Sequence, residues 1–122
     1  MNLYQERILD YYKNPRNRGV VTAADFASGR VNPSCGDAVS IQGTMKEDLI
    51  ELCRFEAQGC VISQATAAML CELAIGKPIS FIQRLDANYM KSLIGMELGP
   101  NRLKCALLSL EALKRGLHEY QS

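Results

Sequence analysis

From residue 3 to residue 13 the side chains of Tyr4, Ile8, Tyr11 and Tyr12 recur at helical spacing, while Glu6, Arg7, Asp10 and Lys13 fall mostly elsewhere. This predicts a short amphipathic helix. Asn2, followed three positions later by Gln5, supplies a capping pair, and the helix has to stop before Pro15. Asn14-Pro15-Arg16-Asn17-Arg18-Gly19 is a turn by composition, read either as a connector with a solvated basic edge or as a docking element. From Val20 to about Ala57 the spacing shortens to that of strands. Residues 27–32 make a first candidate. Residues 38–45 make a second, in which Val39, Ile41 and Gly43 alternate with Ser40 and Gln42. Lys46-Glu47-Asp48 is a polar hairpin turn, and residues 49–57 form a third strand with Leu49, Cys53, Phe55 and Ala57 on one face, opposite Arg54 and Glu56. Three consecutive strands with short connections predict an antiparallel meander.

Beyond the meander the pattern is helical to the end. Residues 61–75 are apolar on most sides, broken only by Ser63, Gln64, Thr66 and Glu72, so this helix is expected to be buried across the sheet. Gly76 is a natural cap and Pro78 begins the next piece. Residues 78–95 form one or two short helices. Residues 101–120 carry a clear stripe of Leu103, Ala106, Leu107, Leu110, Leu113 and Leu117, with Glu111 and Arg115 placed to pair one turn apart on the outer side. The expected architecture is one domain over residues 1–122.

Composition narrows the function. The chain is long enough to bury a core without staples. Its net charge of +1 and lack of a basic block argue against a nucleic-acid partner. The longest apolar run, Ala67 to Cys71, is too short to span a membrane. Glu6, Arg7 and Asp10 are unlike a secretory signal, so a reducing, cytoplasmic setting is expected. The odd count of five cysteines then argues against a disulfide framework. No Cys-x-x-Cys pair occurs and there is a single His, which excludes a multi-histidine metal site. That leaves a site assembled from dispersed cysteines, a reactive thiol, or core packing. Cys53, beside Phe55 on the apolar face, and Cys71, inside the apolar helix, read as packing. His118, near a helix end, reads as a surface residue.

The remaining thiols lie at element boundaries. Cys35 belongs to Asn32-Pro33-Ser34-Cys35-Gly36-Asp37, a loop shaped by Pro33 and Gly36 that presents a thiol and a carboxylate two positions apart. Cys60 opens the buried helix, and Cys105 is expected in the first turn of the last one, beside Arg102 and Lys104. A helix start favours thiolate over thiol, and the thiolate is both metal ligand and nucleophile. Three thiolates suit zinc or an iron–sulfur cluster, and one carboxylate in place of a fourth thiolate weakens the hold on soft iron. Such a site would bind and let go. The separations of 25 and 45 positions are no local metal signature, so spacing alone leaves a shared site and scattered packing cysteines both open.

Four ordered segments carry a resemblance across nearly the whole chain. They are Tyr11-Tyr12-Lys13-Asn14-Pro15-Arg16-Asn17-Arg18-Gly19, Asn32-Pro33-Ser34-Cys35-Gly36-Asp37, Phe55-Glu56-Ala57-Gln58-Gly59-Cys60-Val61-Ile62-Ser63-Gln64-Ala65 and Arg102-Leu103-Lys104-Cys105-Ala106. In these the chain resembles the NifU/IscU-type iron–sulfur cluster assembly scaffolds. The resemblance implies an α+β domain, a three-stranded antiparallel sheet with helices packed on it. It implies a ligand set of Cys35, Asp37, Cys60 and Cys105, with Asp37 the labile member. It implies a cysteine desulfurase that passes a persulfide to a scaffold cysteine, Cys105 or Cys35. Other proteins would supply iron and electrons, and the transient [2Fe–2S] cluster would pass to apo-proteins. On this reading the chain is a carrier and not an enzyme.

Two departures bear on the subtype. IscU-type members have His just before the third cysteine, where this chain has Lys104, as SufU-type zinc-binding members do, yet it lacks their insertion before that cysteine. The IscU-type chaperone segment Leu-Pro-Pro-Val-Lys appears as Leu98-Gly99-Pro100-Asn101-Arg102, which argues against recognition by a dedicated Hsp70-type chaperone. The alternative reading is a zinc-bound sulfur acceptor serving a desulfurase through the same residues.

Overall fold

The computed structural model describes residues 2–122. Among them the elements run α1 (Leu3–Lys13), β1 (Phe26–Val31), β2 (Ala38–Lys46), β3 (Leu49–Gln58), α2 (Val61–Ala74), α3 (Ile79–Gln83), α4 (Ala87–Ile94) and α5 (Pro100–Gln121). The strands form one antiparallel sheet in the order β1-β2-β3. Helices α2 and α5 pack against it and against each other. This is the expected α+β arrangement. Phe26, Val39, Ile41, Cys53 and Phe55 meet Ala67, Leu70, Leu113 and Leu117 in the main core. Each large side chain buried there contributes roughly 1.5–3 kcal/mol.

Local rules account for the element ends. Asn2 Oδ1 accepts from the Gln5 N–H at 2.8 Å, and Gln5 Oε1 accepts from the Asn2 N–H at 3.1 Å, so the capping pair forms. Residues 78–95 divide into two helices because Asp86 caps a new start, accepting from the Tyr89 N–H at 2.8 Å. Pro100 stands at the first position of α5, where its missing N–H costs nothing. The turn of residues 14–19 lies along the open edge of β3: Gly19 N–H donates to the Phe55 carbonyl at 2.8 Å, and Phe55 N–H donates to the Asn17 carbonyl at 3.0 Å. Arg18 reinforces it by donating to the Ala57 carbonyl at 2.8 Å. The segment therefore works as a connector that covers a strand edge.

Two expectations change. The third strand does not bury Leu49. A register shift at Thr44/Met45 changes the phase of the alternation, so Ile50 is 1% exposed while Leu49 is 41% exposed. Nor does Glu111 pair with Arg115. Helix α5 lies on β1, which brings Arg30 to Glu111 at 3.1 Å, while Arg115 pairs with Glu119 at 3.1 Å. Both pairs are half-exposed and contribute little. His118 is exposed, as expected. No helix of the described residues is long and apolar enough to cross a membrane.

Gly43 sits opposite Phe26 in the sheet, and a Cβ there would overlap both the Phe26 ring and the Leu52 carbonyl. The ring could turn aside but the backbone oxygen could not. Gly43→Ala is therefore expected to destabilise the fold by about 1–3 kcal/mol, read from the midpoint of urea unfolding. An unchanged midpoint would refute this account of the packing.

Candidate metal centre

The loop between β1 and β2 is closed at its base. Asn32 N–H donates to the Asp37 carbonyl at 2.8 Å, Gly36 N–H donates to the Asn32 carbonyl at 2.8 Å, and the Asn32 side chain accepts from the Ser34 N–H at 3.0 Å. Gly36 has φ +78°, the left-handed turn that a side chain would resist. The turn leaves Cys35 exposed and drives Asp37 inward, where it is 4% exposed. Cys60 caps α2, its Sγ accepting from the Ser63 N–H at 3.5 Å.

These residues open onto one cleft of about 840 Å³, which Cys35, Asp37, Cys60 and Cys105 all line. Ile8 and Leu9 of α1, Val61 and Ile62 of α2, and Met96 supply its apolar wall. Ligand atoms of Cys35, Asp37 and Cys105 lie within 4.8 Å of one another. Cys60 stands outside that triplet, turned toward Ser63. The Sγ atoms of Cys35 and Cys105 are 4.0 Å apart. Two thiolates at about 2.3 Å from a tetrahedral metal would stand about 3.8 Å apart, so the spacing fits a soft ion. Cys53 and Cys71 are elsewhere, fully buried with Sγ atoms 3.5 Å apart. The hydrogen bond with Cys53 and burial push the Cys71 thiol well above its ordinary value, so Cys71 stays protonated, and both buried residues serve as packing.

The carboxylate is held from two sides. Cys60 N–H donates to Asp37 Oδ1 at 3.2 Å, and Ser63 Oγ donates to Asp37 Oδ2 at 2.7 Å. Burial alone would push the Asp37 carboxyl up. Hydrogen bonds from the Cys60 thiol, the Ser63 hydroxyl, the Cys105 thiol and the Cys60 backbone outweigh it and bring it down from 3.8 to about 2. Cys105 behaves contrary to expectation. Because α5 begins at Pro100, Cys105 falls in the second turn and is 6% exposed, away from the helix end. Burial first, then the hydrogen bonds with Asp37 and Cys60, push its thiol up to about 12. Lys104 and Arg102 are exposed and do not reverse this. A metal entering here has to displace that proton.

Two participants escaped the sequence reading. Ser63, noted only as a polar break in α2, is fully buried and touches Asp37 and Cys60. Its position three residues after a capping thiol was the available signal. Gly59 has φ +117°, and a Cβ there would overlap the Asp37 carboxylate.

Residues 3–122 match the family model described as the NifU-like N terminal domain. The chain is 33% identical to the zinc-dependent sulfurtransferase SufU of Bacillus subtilis, covering 94% of this chain and 89% of that protein. It is 36% identical to the iron–sulfur cluster assembly scaffold protein IscU of Aquifex aeolicus, covering 96% and 75%. A crystal structure of a candidate SUF-system cluster assembly scaffold from Fervidobacterium islandicum aligns with TM-score 0.78 at 29% identity, over 92% of this chain and 94% of that one.

The depressed Asp37 carboxyl has a signed consequence for the metal-free protein. Its stabilisation, about 2 kcal/mol, is fully present above the unfolded value near 4 and is lost as pH falls through about 2. Urea melts of parent and Asp37→Asn should therefore draw closer by about that amount as pH falls from about 5 to about 2. A difference that stays constant with pH would show that the carboxyl is not depressed.

Proposed function

The chain belongs to the NifU-like N-terminal domain family, and from that premise we propose that it is an iron–sulfur cluster assembly scaffold. It would act as a single domain over residues 1–122, with Cys35, Asp37, Cys60 and Cys105 as the donors that hold a transient [2Fe–2S] cluster. The observation that carries this reading is the donor triplet within 4.8 Å on a cleft that Cys60 also lines. The cluster is cargo, built there and passed to apo-proteins. Sulfur comes from a cysteine desulfurase, and iron and electrons come from other proteins. A setting such as the cytoplasm suits free thiols.

Exposure favours Cys35 over Cys105 as sulfur acceptor. The Cys35 thiolate attacks the terminal sulfur of the donor's persulfide, and the donor's cysteine leaves as a thiolate. The new persulfide then lies at the rim of the site. Cys105, buried and firmly protonated, suits retention of cargo better than attack.

A second reading rests on the likeness to the Bacillus subtilis zinc-dependent sulfurtransferase. There the same donors hold zinc and the chain relays sulfur from the desulfurase without building a cluster. Zinc removal is not expected to unfold the protein on either reading, because the main core of Phe55, Leu70, Ile82 and Leu113 does not pass through the site.

Anaerobic reconstitution with iron, cysteine and a cysteine desulfurase tests the proposal. A visible chromophore that moves to an apo-ferredoxin supports the scaffold. A colourless protein with one tightly held zinc that still accelerates sulfur release supports the relay. Cys35→Ser is expected to lower persulfide loading at least tenfold, measured by intact mass after incubation with the desulfurase. Full loading of that variant would move the acceptor role to another cysteine.

A further inference from the structure

Ser63 touches more of the site than any reading of the donors requires. Its side chain is fully buried at the first turn of α2. Its hydroxyl lies 2.7 Å from Asp37 Oδ2, 3.5 Å from Cys60 Sγ and 3.4 Å from the Cys105 carbonyl oxygen. A hydroxyl has one proton to give, and the shortest contact assigns it to the carboxylate. Cys60 N–H occupies the other carboxylate oxygen. Asp37 is therefore satisfied by the protein itself, although it is nearly excluded from water.

This arrangement has a thermodynamic consequence. A donor that satisfies a carboxylate and a cation that binds it draw on the same negative charge. The hydrogen bond is strongest while the charge is free and weakens once a metal neutralises it. The Ser63 hydroxyl therefore stabilises the metal-free state more than the loaded one. Outer hydrogen bonds at metal sites can also work the other way, by orienting a ligand. Here orientation does not depend on Ser63 alone. The carboxylate is also held by Cys60 N–H, it packs against the Gly59 backbone with no room for a Cβ, and it follows a loop closed at its base. Removing the hydroxyl removes the competition and leaves the placement.

We propose that Ser63 acts through Asp37, its hydroxyl competing with a bound metal for the carboxylate, and that it thereby sets how readily the site lets its cargo go. The inference rests on the donor set of the proposed function and extends it to a residue outside that set. When the carboxylate leaves the metal, it returns to a partner already in place. The departing ligand is never stranded as a buried, unpaired charge.

The test uses the full chain and zinc alone, with affinity read by competition against a chromogenic chelator and release read by the rate of zinc loss to excess chelator. Ser63→Ala is expected to bind zinc about tenfold more tightly and to release it correspondingly more slowly, the scale of one hydrogen bond to a charged group lost from the metal-free state. In the Asp37→Asn background the same substitution should change neither quantity, which closes a double-mutant cycle. Thermal melts without zinc show whether each variant folds, and Ser63→Thr, which keeps the hydroxyl, should retain the parent's affinity if Ser63→Ala folds poorly. Unchanged or weaker binding by Ser63→Ala overturns the proposal, as does an effect that persists without Asp37. Failure of the underlying site is a different result: parent and Asp37→Asn would then bind zinc equally or not at all.

Discussion

The buried carboxylate of Asp37 is the constraint on which the site depends. A carboxylate almost out of contact with water is tolerated only where donors meet it. Here they come from the start of α2, through Cys60 N–H and Ser63 Oγ. That requirement fixes the β1–β2 loop against the helix. It also explains Gly59, since any side chain would fill the space the carboxylate occupies. Cys35, two positions earlier on the closed loop, is carried to the rim by the same anchoring.

Asp37 and Cys105 also shift one another in opposite directions. Without metal, the interaction of the Cys105 thiol with the Asp37 carboxylate helps to raise the one and lower the other. Loading the site then includes displacement of the Cys105 proton by metal, and the empty site keeps one negative charge, on Asp37, that its hydrogen-bond donors satisfy. That suits the proposed cycle of loading and release.

Much of the fold was legible in the chain because hydrophobic spacing reports directly which side of an element is buried. The buried helix, the terminal helix and the three strands all followed from it. The phase change in β3 was not legible: a period of two says nothing about an extra residue, and only pairing with β2 shows that Ile50 and not Leu49 turns inward. The candidate donors could be named from their motifs, but their chemistry could not. A helix start beside basic residues suggested an activated Cys105, whereas depth, set by how α5 packs, decides the opposite. Ser63 was visible as a polar residue in an apolar helix, but which atom it meets depends on a loop residue 26 positions away in the chain.

The four proposed donors are drawn from three separately anchored pieces of structure: the β1–β2 loop, the start of α2 and the second turn of α5. None of these pieces brings the full set. The proposed grip on an ion consequently depends on how the layers sit on one another, since Cys35 and Cys105 come from different ones. A protein that leaned on either layer could unload the site mechanically, without offering a competing ligand.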